Sequence, residues 1–404
     1  MKRPCVLVTG GAGYIGSHTA VELIATGFDA VLVDDLSNSE VAAIEGVRAI
    51  TGRDVPFVEA DCCDREALER IFTRYEFGSA IHFAASKAVG ESLREPMKYY
   101  RNNLLSFMNL VELMHETGRR NIVFSSSCTV YGEPRRLPVT ERTPRRPAAS
   151  PYGNTKQICE DILRDAIAAG GGALRGIALR YFNPIGAHPS ALIGELPRGV
   201  PQNLLPYITQ TAAGIRDCLS VYGGDYPTPD GSCIRDYIDV GDLARAHVAA
   251  IRRMTGGADV RPYEVYNIGT GRGVSVLELI RRFEQVNRVK VDYKIAGRRA
   301  GACLRKAGLL WRFYRSALLL PCLCVSVALA WAATWEEGPN VPTLCVAKAA
   351  CYAPILCLLF SLGPGVSTTM PISGGRADGS SHGAARPVFC SSSHWPARRP
   401  SSQP

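Results

Sequence analysis

The run Ser150-Pro151-Tyr152-Gly153-Asn154-Thr155-Lys156 puts a phenol and an amine four residues apart. With Ser150 as N-cap and Pro151 as the first helical residue, Tyr152 and Lys156 stack on one helix face. A phenol of ordinary pKa, about 10, is a poor base at neutral pH. A neighbouring ammonium stabilises the phenolate and lowers that value, which makes Tyr152 a candidate general acid/base. A lone Tyr-x-x-x-Lys means little; its weight depends on where in the fold it falls. Upstream, Phe124-Ser125-Ser126-Ser127-Cys128-Thr129 closes an apolar run with three hydroxyls. Open α/β sheets bind ligands at the carboxyl ends of their strands. A hydroxyl there can donate to a substrate oxygen and share its proton with Tyr152. Ser127 is the most distal and is the expected catalytic serine. Ser125 and Ser126 read as a polar strand end.

Thr9-Gly10-Gly11-Ala12-Gly13-Tyr14-Ile15-Gly16 follows the first apolar run and opens the first helical one. Glycines at i, i+3 and i+6 allow a tight turn, close approach to a pyrophosphate, and close helix–strand packing, and the helix N-terminus supplies an anion site. Asp34 and Asp35 end the second strand. A carboxylate there accepts from adenosine ribose hydroxyls and repels a 2′-phosphate, so the cofactor expected is NAD rather than NADP. The nicotinamide ring, being positive, would add to the effect of Lys156 on Tyr152. Asp61, after the third strand, is placed to face the adenine edge; a solvated surface Asp is the other reading.

These residues need a scaffold, and the pattern supplies one. Strands are expected at 5–9, 30–33, 56–59, 79–83, 121–125 and 177–181, and helices at 14–26, 39–50, 65–76, 91–117 and 151–169. Continuous apolar strands alternating with helices predict a Rossmann-type, doubly wound parallel sheet of α/β class. From residue 183 Gly and Pro become frequent, loops lengthen, and 220–237 reads as short strands around a Pro-Thr-Pro-Asp-Gly turn. This predicts a smaller substrate-binding α/β lobe. Ser275 and Glu278 form a capping box ahead of a helix whose apolar face is expected to carry Val276, Leu277, Ile280 and Phe283.

Composition divides the chain near residue 301. The whole has 404 residues and a net charge of +9, but residues 302–404 hold nine Lys/Arg against three Asp/Glu, and residues 1–301 hold 37 against 34. The basic excess is therefore mostly in the tail, and the body carries no nucleic-acid signature. Half of the 14 Cys and all four Trp also lie beyond residue 301. The body begins Met1-Lys2-Arg3-Pro4 and runs directly into a strand, which leaves no room for a signal peptide. Its Cys show no Cys-x-x-Cys or Cys/His spacing, so no metal site is expected, and they read as reduced thiols of a cytoplasmic protein. The domains expected are 1–182, binding NAD; 183–301, binding substrate, with some chain returning to the sheet; and an atypical tail, 302–404.

Longer stretches now resemble one family throughout Val6–Gly301. They include His82-Phe83-Ala84-Ala85-Ser86-Lys87-Ala88-Val89-Gly90-Glu91-Ser92, Tyr99-Tyr100-Arg101-Asn102-Asn103, Leu179-Arg180-Tyr181-Phe182-Asn183-Pro184-Ile185-Gly186-Ala187-His188-Pro189-Ser190, Asn203-Leu204-Leu205-Pro206-Tyr207-Ile208, Arg235-Asp236-Tyr237-Ile238 and Gly297-Arg298-Arg299-Ala300-Gly301. With the glycine, serine and Tyr-x-x-x-Lys segments, these are similar to the UDP-glucose (UDP-galactose) 4-epimerases of the extended short-chain dehydrogenase/reductase family. The resemblance implies catalysis by Tyr152, Lys156 and Ser127. It implies cofactor contacts from Gly10, Gly13, Tyr14, Ile15, Gly16, Asp34, Asp35, Asn38, Asp61, Phe83, Ala84, Lys87, Asn102, Tyr152, Lys156 and Tyr181. It implies UDP-sugar contacts from Lys87, Ser127, Tyr152, Phe182, Asn183, Asn203, Leu204, Tyr222, Arg235 and Arg299. Arg235 and Arg299 are forks suited to a diphosphate. The implied reaction removes the proton of the sugar 4-hydroxyl through Tyr152 and the C4 hydride through NAD, lets the 4-keto sugar rotate, and returns both on the other face. A homodimer is also expected. A 4,6-dehydratase would need an acid and a base just after the strand-end serine, where this chain has Cys128-Thr129. A non-catalytic NAD-binding regulator would have no reason to keep Tyr152, Lys156 and the serines together.

The family pattern stops at Gly301. Where the family has an Asp for the uridine ribose, this chain has Ala302, so a catalytically impaired epimerase is the alternative reading. In the tail, residues 316–335 carry no charge and match the roughly 20 residues of a membrane span. Arg305, Lys306, Arg312 and Arg315 before them would leave the body in the cytosol. Residues 364–404 are Ser/Gly/Pro-rich and are expected to be disordered. The abrupt change also fits a shifted reading frame or an unspliced intron. On that reading the native protein is cytoplasmic and lacks the tail; a membrane partner follows only if 316–335 is a true anchor.

Overall fold

The computed structural model describes residues 3–256 and 260–298, and for 305–306 the backbone alone. Its first half alternates strand and helix: β1 (Cys5–Thr9), α1 (Tyr14–Ala25), β2 (Asp29–Asp34), α2 (Val41–Thr51), β3 (Phe57–Glu59), α3 (Arg65–Arg74), β4 (Ser79–His82), α4 (Val89–Arg94), α5 (Pro96–Glu116), β5 (Asn121–Ser127), α6 (Pro151–Ala169) and β6 (Arg175–Tyr181). All six predicted strands form. The helix predicted over 91–117 is two, broken where Glu95 (φ −125°, ψ 59°) precedes Pro96. Proline disfavours the helical region for the residue before it and suits the first position of a new helix.

The second half contains β7 (Asn183–Ile185), α7 (Leu204–Ala212), β8 (Leu219–Tyr222), β9 (Ile234–Asp239), α8 (Val240–Gly256), β10 (Tyr263–Ile268), β11 (Gly273–Ser275), α9 (Val276–Asn287), β12 (Tyr293–Ala296) and β13 (Arg305–Lys306). The large sheet is parallel, in the order β10-β6-β5-β4-β1-β2-β3. Its seventh strand, β10, is contributed by chain that returns to pair with β6 along Tyr263–Ile268. The order reverses at β1, which marks the crevice between β1 and β4 as the place where ligands bind in such sheets.

Helices cover both faces of this sheet. One apolar layer gathers Val6, Val8, Leu23, Leu32 and Ile81 with Val248 and Ile251 of α8. The other gathers Leu7, Val31, Ile71, Phe107, Leu110, Phe124 and Leu163. Strands with apolar side chains on both faces therefore read as unbroken apolar runs. Small sheets made by β7, β9, β11 and β13, and by β8 with β12, enclose a separate apolar cluster of Ile185, Leu205, Ile208, Val221 and Phe283. Ser275 caps α9 as expected, accepting from Glu278 N at 3.0 Å. The buried face of α9 is Leu279, Ile280 and Phe283. Val276 and Leu277 lie only partly buried at its start, because the strand β11 joins the helix directly there. None of the seven cysteines among the described residues is in a disulfide. Among the described residues no helix is long and apolar enough to cross a membrane; the uncharged 316–335 run, Ala302 and the rest of the tail lie outside them.

Candidate active site

The carboxyl end of β5 sorts its three serines by partner. Ser125 Oγ bonds to the Tyr181 hydroxyl at 2.6 Å. Ser126 Oγ donates to Glu160 Oε1 at 2.6 Å. Ser127 Oγ accepts from Thr129 N at 3.2 Å and lies close enough to the Tyr152 phenol to lower its pKa. Strand alternation produces this, since successive side chains leave on opposite faces. Ser127 is thus the serine that meets Tyr152. Ser126 belongs to a buried network instead: Arg180 Nε and Nη2 fork onto Glu160 at 2.8 and 2.5 Å. Arg180 Nη1 reaches the Tyr131 hydroxyl at 3.1 Å.

Helix α6 starts as its sequence requires. Ser150 Oγ accepts from Gly153 N at 3.2 Å and Pro151 takes the first position. Tyr152 and Lys156 then share a buried face. Lys156 Nζ donates to Ser125 O at 2.8 Å and lies 4.9 Å from the Phe124 ring centroid and 5.9 Å from that of Tyr152. The expected lowering of the Tyr152 pKa is not present in the protein alone. Burial pushes it well above the ordinary phenol value, and the Ser127 hydroxyl offsets only part of that rise. Burial also lowers Lys156, to about 8. Two buried groups that would both be charged are each driven toward neutrality. An added positive charge beside the phenol would favour its ionised form.

The glycine turn fits a dinucleotide. Gly10 has φ +72°, and a Cβ there would lie 2.7 Å from Ala84 N; a Cβ on Gly16 would lie 2.1 Å from Gly10 O. Side chains at either position would push the turn away from β4 or from α1. A Cβ on Gly13 meets only Gly10 O, at 3.2 Å, so its outer side is open. No side chain caps α1 at Gly13, which leaves its first turn as an anion site. Tyr14 is buried, with its hydroxyl donating to Gly186 O at 2.7 Å, and Ile15 is half-buried.

Asp34 is buried beside this turn. Its carboxylate accepts from Ala12 N at 3.1 Å, Leu36 N at 3.0 Å and Ser39 Oγ at 2.6 Å. Burial raises its pKa and these bonds oppose the rise. A carboxylate has about four acceptor positions, so one remains for a ribose hydroxyl. Asp35 is exposed and accepts from Ser37 N and Oγ at 3.0 and 2.7 Å. Asn38 is exposed on the same loop, and Asp61 is exposed with its carboxylate on Cys63 N at 2.7 Å.

The remaining predicted residues come from both halves of the chain. Phe83 lies against the His247 ring, centroids 4.6 Å apart, and Ala84 backs Gly10. Asn102 donates to Ser86 Oγ at 3.3 Å. Phe182 is buried against Gly269, while Asn183 is half-buried on β7. Leu204 packs on the smaller core, and Tyr222 is half-exposed. Arg235 is half-buried, with Nη1 on Ile234 O at 2.9 Å. Arg299 lies outside the described residues. Two side chains absent from the sequence prediction contact them. Glu195 is buried and binds both Lys87 and Asn203; His247 backs Phe83. Neither has a local signal: Lys87 and Phe83 come from distant chain, and the spacing of Glu195 to Asn203 marks no element on which the two would meet.

A model of the NAD dependent epimerase/dehydratase family matches residues 6–269. The chain belongs to this family. Within it, the UDP-glucose 4-epimerase of Bacillus subtilis is 52% identical over 298 residues, which cover 73% of this chain and 86% of that protein. That of Dictyostelium discoideum is 48% identical over 296 residues, covering 73% and 85%. Among solved structures of the family, UDP-glucose 4-epimerase from Bifidobacterium longum, in complex with NAD+ and UDP, is similar with a TM-score of 0.74 and 40% identity, covering 88% of this chain and 99% of that one. The Stenotrophomonas maltophila enzyme, with bound NAD and formylated UDP-arabinopyranose, has a TM-score of 0.73 at 40% identity, covering 89% and 100%.

Proposed function

We propose that this chain interconverts UDP-glucose and UDP-galactose, with NAD held across the Gly10–Gly16 turn. The single observation that most supports it is the buried Ser127–Tyr152–Lys156 group at the carboxyl end of a parallel sheet, beside a turn that only glycines can form. NAD, when bound, supplies a reversible two-electron partner and a positive charge. The chain's own residues do the rest. Tyr152 accepts the proton of the sugar 4-hydroxyl and returns it after the 4-keto sugar has turned. Ser127 holds the phenol on one side and the sugar oxygen on the other. Lys156, tied to Ser125 O, keeps a cation near the phenol. One proton and one C4 hydrogen with its electron pair leave and come back, so no net redox occurs.

Asp34 offers its fourth acceptor position to the adenosine ribose and repels a 2′-phosphate. Gly10, Gly13, Tyr14, Ile15 and Gly16 line the pyrophosphate side; Asp35, Asn38, Asp61, Phe83, Ala84, Asn102 and Tyr181 complete that pocket. Arg235 forks onto the substrate diphosphate, with Arg299 assigned the same role. Asn183 and Asn203 serve its oxygens, and Phe182, Leu204 and Tyr222 wall the nucleotide. The diphosphate is held firmly and the hexose loosely, because the sugar must rotate. The division into an NAD-binding 1–182 and a UDP-sugar-binding 183–301 goes with this reading. So do a second copy of the chain as partner and the cytosol as workplace, checked by light scattering and cell fractionation.

Incubation of the chain and NAD with UDP-galactose, followed by chromatographic separation of the nucleotide sugars, tests the reading. UDP-glucose should accumulate to equilibrium. A 4-keto-6-deoxy product would overturn it in favour of a dehydratase. The substitution at Ala302 supports a second reading, an epimerase of low activity, which the initial rate of the same experiment separates from the first.

A further inference from the structure

Glu195 lies on the loop between β7 and α7 with its side chain only 5% exposed. A buried carboxylate is costly unless charged or polar donors meet it. Two do, and both on one oxygen: Lys87 Nζ at 3.2 Å and Asn203 Nδ2 at 2.5 Å. They come from different parts of the fold. Lys87 follows β4 of the large sheet, while Asn203 heads α7 of the smaller lobe. Asn203 occupies the N-cap of α7 but makes no side-chain cap bond there; its amide is turned to Glu195 instead. Each donor keeps capacity in reserve. An ammonium has three hydrogens and a primary amide has two, along with its oxygen, so one bond apiece to Glu195 fixes their direction without using them up. Lys87 is 45% exposed, and an ion pair that open contributes little by itself. The pair gains its meaning from the buried partner that also holds Asn203.

We infer that Glu195 is a positioning residue: through one carboxylate oxygen it orients Lys87 and Asn203 together toward the bound nucleotide sugar. The inference rests on the proposed assignment of Asn203 to substrate oxygens and on the ligand contact that the family resemblance implies for Lys87, and adds the group that joins them. Removing Glu195 frees Asn203 to turn back onto the α7 N-terminus, as an Asn at that position ordinarily does, and releases Lys87 into solvent. The loss falls on nucleotide binding rather than on proton transfer, because neither side chain touches Tyr152.

The affinity for UDP, measured by calorimetry on the NAD-loaded protein, tests this without requiring turnover. Glu195→Ala should weaken UDP about tenfold, and Glu195→Gln, which keeps the acceptor oxygen, should recover most of that loss. Asn203→Ala should cost less in the Glu195→Ala background than alone, since the two act as one unit. In turnover KM should rise while kcat stays near its original value. Unchanged UDP affinity in a folded Glu195→Ala protein, or additive effects in the cycle, overturns the inference. Where Glu195→Ala fails to fold, Glu195→Gln carries the same cycle: UDP affinity should fall about threefold and Asn203→Ala should again cost less, and no change in either overturns it. A parent protein that binds UDP but produces no UDP-glucose removes the proposed reaction and leaves this inference standing.

Discussion

Around Gly10–Gly16 the chain completes its own contacts before any ligand arrives. Asp34 already accepts three bonds, Gly10 is packed on Ala84, and Gly16 closes against Gly10 O. Around Asn183, Asn203, Tyr222 and Arg235 the side chains are half-buried or exposed, and one buried carboxylate gathers two of the functional groups. The first region is specified by backbone shape, the second by side chains reaching from loops. The difference suits the proposed chemistry: a cofactor that is kept through each turnover sits on the rigid side, and a sugar that must rotate sits on the adaptable one. Preorganisation lowers the cost of binding, and it is more complete on the side where the ligand stays.

The largest effect expected is on chemistry alone. Tyr152→Phe should lower interconversion by about 10²–10⁴-fold while NAD remains bound, since the phenol contributes nothing to the glycine turn; a variant with near-parent activity would break the assignment of proton transfer. Next, Glu160→Ala should destabilise the protein by about 3–5 kcal/mol in urea unfolding, because Arg180 would be left buried without its carboxylate. Unchanged stability would show that the sheet side is less rigid than the comparison holds.

Acid should also strike the sheet side first. His18 on α1, His82 on β4 and His247 on α8 are buried, and burial lowers their pKa values to about 4, 3 and 4. Each lies below the unfolded value, so the folded protein binds fewer protons than the unfolded chain. Their contribution is complete above about pH 6.5 and is lost as pH falls toward 4. Unfolding measured at about pH 7.5 and pH 6 should differ by about 2 kcal/mol for the three together. The smallest expected effects are a crossed pair. Asp34→Ser should weaken NAD about tenfold and narrow its preference over NADP with UDP affinity unchanged, and Arg235→Ala should do the reverse, both by calorimetry. Effects on both ligands from either change would erase the boundary between the two regions.

What the sequence announced is what short stretches of chain decide. The glycine turn, the caps at Ser150 and Ser275, and the strand-end serines depend on neighbours within a few residues, and each formed as its spacing required. The choice of Ser127 over Ser125 and Ser126 rested on strand direction; Ser125 and Ser126 are engaged by Tyr181 and Glu160. The break at Pro96 had a local signal that periodicity overrode, since apolar residues continue across it. By contrast, β10, the Arg180–Glu160–Ser126 network and the Lys87–Glu195 pair depend on partners distant along the chain, and no short window of sequence contains both ends. The burial of Tyr152, which raises its pKa in the chain alone, is likewise not legible from residue types, which report a neighbouring ammonium but not depth.

The return of the chain to the large sheet has a consequence for synthesis. β6 ends at Tyr181, and its open side is met only by Tyr263–Ile268, after β7, α7, β8, β9 and α8 have been translated. At about 5–20 residues per second, the nascent sheet presents that unpaired strand for several seconds. Exposed edges recruit other chains, so this interval, rather than the finished fold, is where a chaperone would act on the protein.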